Sequence, residues 1–155
     1  MNTIIPALAG LLIVMMTSCN QDPGKEERTN GYTRELKTRE DSLFHDVMEG
    51  HDLGMAKMGK LNRYIRYTRT AIDSLNKLPK GNPELTGRYS SMLQEFVQAD
   101  DAMSDWMGNF RLDTLKDNKE AREAYLLSEK IKVEKVRDLI LHAEKTGDSA
   151  YAKKQ

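Results

Sequence analysis

Cys19 is the only cysteine in 155 residues, so no intramolecular disulfide can form. Aromatic residues are scarce at 6%, and a sheet protein would need more Val, Ile, Tyr and Phe than this chain carries. Charge of either sign is not in excess: Lys plus Arg and Asp plus Glu number 24 each, which leaves no net field to draw in nucleic acid or an anionic bilayer. No nucleic-acid partner is therefore expected. The catalytic spacing signatures are missing as well: no GxSxG, no GxxxxGK followed by Ser or Thr, and no HExxH occurs. The expectation is a protein that is not an enzyme.

What is abundant is charge of both signs in alternation, 31% of the chain, the composition of long amphipathic helices. The length suits one domain with a modest core.

Residues 4–16 are almost wholly apolar, with Pro6 and Gly10 among them, and no charged side chain precedes Asp22. A permanent membrane span needs roughly 20 residues, so this run fits the apolar core of an export signal instead. It ends in Met16-Thr17-Ser18-Cys19, which resembles the lipobox of bacterial lipoproteins: an apolar residue, two small ones and the cysteine. The resemblance implies cleavage before Cys19, diacylglycerol on its thiol, and a chain lipid-anchored in the cell envelope, facing periplasm or exterior. Residues 20–31 are polar, with Pro23, Gly24 and Gly31 and no apolar period, and read as a flexible tether. The expected organisation is a signal peptide at 1–18, lipidated N-terminus and tether at 19–32, a helical bundle domain at 33–147 and a polar tail at 148–155.

Beyond Tyr32 apolar residues recur three or four apart: Leu36, Leu43, Val47, His51, Met55, Met58, Leu61, Ile65, Thr68, Ile72, Leu75 and Leu78, with His51 and Thr68 on the same stripe. The stripe stops at Pro79-Lys80-Gly81-Asn82-Pro83, where the chain must turn. A second stripe runs through Leu85, Tyr89, Met92, Phe96, Ala99, Met103, Met107 and Phe110 to about Asp113-Thr114. A third starts at the caps Asp117-Asn118 and runs through Ala121, Tyr125, Val133, Val136, Ile140 and Ala143 to Gly147. Short connections make neighbours antiparallel. The expected fold class is all-α: a three-helix antiparallel bundle or coiled coil whose long first helix projects past the other two.

Pairing residues equidistant from Gly81 sets Met55 opposite Met107, Met58 opposite Met103 or Ser104, and His51 opposite Phe110. His51, Met55, Met58, Met103 and Met107 thereby form a candidate soft-metal set with Trp106 over it and His45 and Met48 nearby, suited to Cu(I). Packing accounts for the same residues more economically, because Met fills irregular gaps and lies well against aromatic rings. Gly50, Gly54 and Gly59 in this stretch suggest close approach or bending. Asp46 and Asp52 each follow a histidine and are expected to point away from it. His142 is placed near the end of the third helix as a cation suited to the dipole.

The stretches His51-Asp52-Leu53-Gly54-Met55-Ala56-Lys57-Met58-Gly59 and Asp101-Ala102-Met103-Ser104-Asp105-Trp106-Met107 resemble a group of small helical lipoproteins of Bacteroidota, often labelled viral A-type inclusion protein repeats. The resemblance implies helical architecture over most of the mature chain and no activity. The functional expectation is a non-catalytic structural or interaction module anchored by lipid. A Cu(I)-binding protein and a periplasmic chaperone-like helical clamp are the alternatives.

Overall fold

The computed structural model describes residues 36–152. The signal peptide, Cys19, the tether and residues 153–155 lie outside the described residues. Within them the chain is all-α, without a strand: α1 is Arg39–Asn76, α2 is Pro83–Asn109 and α3 is Lys119–Tyr151. No helix of the described residues is long and apolar enough to cross a membrane.

Each helix start has a local cause. Thr38 caps α1 in a reciprocal box: its hydroxyl accepts from the Asp41 amide at 3.0 Å, and the Asp41 carboxylate accepts from the Thr38 amide at 2.9 Å. Asn82 caps α2 at 3.0 Å from the Leu85 amide, with Pro83 in the first turn, where its missing N–H costs nothing. Asn118 caps α3, accepting from Ala121 at 3.0 Å, as its place in the sequence suggests. The expected turn is present, and Gly81 takes the left-handed φ of 57° that closes it.

Several boundaries differ from the sequence expectation. Leu36 and Leu78, the first and last residues of the long stripe, fall outside α1 and are exposed. Helix α2 ends at Asn109, before Asp113, because Phe110 leaves the helix to stack between Trp106 at 5.1 Å and Tyr125 at 6.2 Å. The Tyr125 hydroxyl then accepts from the Arg111 amide at 2.7 Å. Helix α3 does not stop at Gly147. It continues through Asp148 to a buried Tyr151, so the first residues assigned to a polar tail belong to the bundle. Gly147 is needed for close approach instead: the Tyr64 ring occupies the space where a Cβ would stand.

Helices α1 and α3 run parallel, and α2 is antiparallel to both. Salt bridges mark the α1·α3 register from Arg122 against Glu40, through Lys130 against Asp46, to Lys60 against Glu144. The Thr68 and Tyr151 hydroxyls close it at 2.7 Å. Opposite α2 the pairing about Gly81 holds to within about a turn: Asn62 donates to Asp100 at 3.2 Å, the Tyr64 ring lies tilted 6.0 Å from Phe96, and His51 lies 5.7 Å from Trp106. The first helix does not overhang both partners at one end. Its first turns have α3 beside them, and about two turns of it, past the Thr68–Tyr151 contact, run on beside α2 alone.

The core consists of Val47, Leu61, Phe96, Met103, Leu126, Val133 and Ile140, all fully buried. On α1 the buried seam passes through Val47, Gly50, Gly54, Leu61, Ile65 and Thr68. Two glycines thus occupy core positions: a Cβ on Gly50 would meet Val133, and one on Gly54 would meet Met103 and Ile140. Gly59, by contrast, has open space around it.

Candidate functional site

The structure divides the His/Met/Trp set between core and surface. Met103 is fully buried, with its methyl group in the notch left by Gly54. Met48 is buried and Met58 is half-buried against the core. Met55 and Met107, set opposite each other by the pairing about Gly81, are 39% and 41% exposed. The reason is the glycine seam: with Gly50 and Gly54 pressed on α3, the next position, Met55, is rotated about 100° toward solvent. Trp106 is buried, and its indole N–H donates to Glu129 Oε2 at 3.0 Å, so its polar edge is satisfied by a carboxylate. Its ring lies 5.7 Å from that of His51. Met48, Met58, Met103 and Trp106 thus belong to or pack on the core, while Met55 and Met107 lie at its surface.

Both histidine–aspartate neighbours interact, contrary to expectation. Asp52 Oδ1 lies 2.8 Å from His51 Nδ1, and Asp46 Oδ1 lies 3.6 Å from His45 Nδ1. The 100° rule governs which face a residue presents, but two short side chains one residue apart can curl toward each other along the helix surface, and Nδ1 is the ring nitrogen nearer the backbone. His45, Asp46 and Glu49 each bring a ligand atom within 4.8 Å of the others, and Asp46 is already held by Lys130 at 2.7 Å. His142 is not in the last turn of α3; it is exposed, 3.5 Å from Glu95 Oε1.

A well-formed concavity lies elsewhere, at the far end of α1. Where α3 stops at Tyr151, α1 and α2 continue side by side, and the space α3 would have filled is an open groove of about 870 Å³. Tyr64, Tyr67, Ala71 and Leu75 line it from α1, Leu85 and Tyr89 from α2, and Tyr151 closes it, with Arg63 on the rim. A second hollow of about 490 Å³ shares Leu85 and Tyr89 and is bounded by Met92, Thr146 and Ala150.

Hydrogen bonds tie the groove wall together from behind. Thr68 donates its one hydroxyl proton to the Tyr64 carbonyl at 2.7 Å, so the Tyr151 hydroxyl must be the donor in its 2.7 Å bond to Thr68. The Tyr64 hydroxyl donates to Asp148, which Lys60 also holds at 2.6 Å. Burial pushes both phenols above their usual range. Asp148 is held below the usual carboxylate range, first by Lys60 and then by Tyr64, while Asp148 and Glu144 hold the Lys60 ammonium above its own. With these two hydroxyls turned inward, the groove offers mainly ring faces and aliphatic walls, with Thr70, Ser74 and the exposed Arg63, which makes no salt bridge among the described residues, as its polar lining. It has the volume and apolar lining of a ligand cleft, and it brings no nucleophile–base pair together.

Sequence reasoning did not single out this site, because its four tyrosines are scattered over all three helices. The pairing about Gly81 carried a usable signal: it brings Tyr89 opposite the α1 segment just past Tyr67. The chain matches no family model, no curated protein and no solved structure.

Proposed function

We propose that this chain is a lipid-anchored, non-catalytic interaction module of the bacterial envelope whose tyrosine-lined groove receives an apolar or aromatic peptide segment of a partner. The supporting observation is positional. The chain leads from Cys19 into the end of the bundle where α1 begins, and the groove lies at the opposite end, along a helix of 38 residues, about 57 Å. An anchor at one end and a cleft at the other suit a module that holds its binding surface away from a bilayer. Tyrosine and arginine are the side chains most favoured where one protein grips another, because they combine area with a polar edge. The resemblance to helical lipoproteins of Bacteroidota agrees with this assignment.

The test has two parts. Cys19→Ser is expected to leave an uncleaved precursor without lipid, measured by metabolic fatty-acid labelling; a mutant processed and labelled like the parent refutes the anchor. A photo-reactive residue at Tyr67 in intact cells is expected to yield a discrete adduct that the same residue at Ile131, on the outer face of α3, does not. Equal or absent adducts at both positions refute the groove.

A further inference from the structure

We infer that the end of the bundle opposite the groove is a lipid-contact surface, in which Leu112 and Leu115 of the α2–α3 connection, together with Leu36, rest on the bilayer that the Cys19 lipid enters. The inference rests on the anchored reading above and adds to it an orientation.

Three observations carry it. Leu36, Leu112 and Leu115 are 50%, 52% and 47% exposed and lie at one end; other apolar side chains are as exposed, but these three are the ones that flank the start of α1, where the chain comes in from Cys19. They share that end because Arg122, buried at the start of α3, donates to Glu40 near the start of α1 at 3.0 Å and to the Thr114 carbonyl of the connection at 3.0 Å. Leu115, moreover, has a φ of 59°, the only positive value at a non-glycine among the described residues. A leucine in that conformation is strained, where glycine or asparagine would be relaxed. A leucine held in that conformation with about half of its surface left in solvent recovers only part of what burial would give, so the fold of this domain gains little from it.

The occupant follows from where the chain goes. Roughly 17 residues separate Cys19 from Leu36, a distance of at most about 60 Å when fully extended. Lipid on Cys19 holds the start of α1 within that distance of the membrane and leaves the groove end free to lie farther off by the length of α1, so a weak apolar contact at the near end becomes an intramolecular one. Acidic and basic side chains alternate around the leucines, with Lys116 paired to Asp113 in the connection itself, so the surface selects no lipid charge. A zwitterionic bilayer is sufficient.

The experiment uses the full-length lipidated chain in phosphatidylcholine vesicles containing brominated acyl chains. With Cys19 acylated, Leu115→Cys supplies one free thiol for an environment-sensitive fluorophore, and Tyr67→Cys supplies the control at the groove end. The expected result is a blue-shifted label at position 115 that loses most of its emission to the brominated lipid, and a label at 67 that loses none. A label at Leu36→Cys should be quenched as well, and should escape quenching when Leu112→Asn and Leu115→Asn are added, since asparagine tolerates the positive φ and leaves the fold intact. Flotation and intact mass of the same sample separate the two readings. A chain that floats and carries lipid while the label at 115 stays in water overturns the contact alone; a chain without lipid overturns both. A label shielded without bromine quenching, in a chain that migrates as a dimer, shows a second copy there instead and overturns the contact.

Discussion

At the end of the bundle where α1 and α3 begin, a buried arginine fastens two helices and a connection together, and the apolar side chains that remain point outward from the surface. At the other end α3 stops while its neighbours continue, and the apolar side chains line a hollow. One end is tied together by an ion pair and has only a shallow hollow of about 360 Å³ beside Phe110 and Leu112, while the other holds a groove of about 870 Å³. The contrast shows that the ends of a helical bundle can be specialised without any change in the repeating core between them. Relative helix length opens the groove, and one charged side chain seals the opposite end.

The largest expected effect tests the open end. Gly147→Ala places a Cβ where the Tyr64 ring stands and must displace the wall of the groove. Overpacking of this kind costs roughly 1–3 kcal/mol, and a rigid ring puts the expectation near the upper figure. Gly59→Ala, with nothing near its Cβ, should instead stabilise α1 by about 0.5–1 kcal/mol. Urea denaturation followed by circular dichroism reads both, and equal effects would show that the Tyr64–Gly147 contact does not matter.

Next is the closed end. Arg122→Met keeps the apolar stem but deletes the fork to Glu40 and Thr114, leaving a carbonyl and a half-exposed carboxylate without their partner. The expected cost is about 2 kcal/mol, below that of a fully buried pair because Glu40 reaches solvent. Hydrogen exchange should rise in residues 111–118 and leave the groove end unchanged. A uniform rise along all three helices would mean the ends are not independent.

A smaller loss, about 1 kcal/mol, is expected for Thr68→Val, which removes the acceptor of the Tyr151 hydroxyl while retaining shape. Exchange should increase in the last turn of α3 alone. Protection there equal to that of the parent would mean that Tyr151 is held by its ring contacts with Tyr64 and Tyr67 rather than by its hydroxyl.

The smallest effect is a difference in pH response. Asp41 and Asp113 at the closed end, and Asp148 at the groove, all have lowered pKa values, caused first by Thr38, Lys116 and Lys60 respectively. A depressed folded pKa stabilises above the unfolded value, near 4, and that contribution is lost as pH falls, so acid loosens both ends. Alkali distinguishes them. The raised phenols of Tyr64 and Tyr151 favour folding while protonated, a contribution intact below about pH 10 and lost as pH rises through the folded values. In a spectrophotometric titration of the six tyrosines, these two should ionise last, and Tyr64→Phe and Tyr151→Phe should remove the late phase. A single phase at the ordinary phenol pKa would contradict the buried wall.

Much of this architecture was legible in the residues themselves. The turn about Gly81, the cap at Asn118 and the approximate pairing of α1 with α2 each follow from one local rule of backbone chemistry. The exposure of Met55 and Met107 was not legible, because a stripe of apolar side chains gives no weight to glycine, and here Gly50 and Gly54 are themselves core positions. The buried pair of Trp106 and Glu129 was equally hidden, since a glutamate among many exposed ones carries no mark of the indole it meets 23 residues away.

Helix content, helix number and the places where the chain turns were determined by the sequence alone, because caps, prolines and a 3.6-residue apolar period act over a few residues and need no partner. Which face of α1 is buried, where α3 ends and whether a hollow forms beside Tyr89 were decided only in the tertiary structure. Those outcomes depend on how a glycine notch meets a ring on another helix, and on how far each helix runs once its neighbours set the register. Gly147 shows the difference most directly: by local rules it ends a helix, and only the Tyr64 ring against it explains why the helix continues.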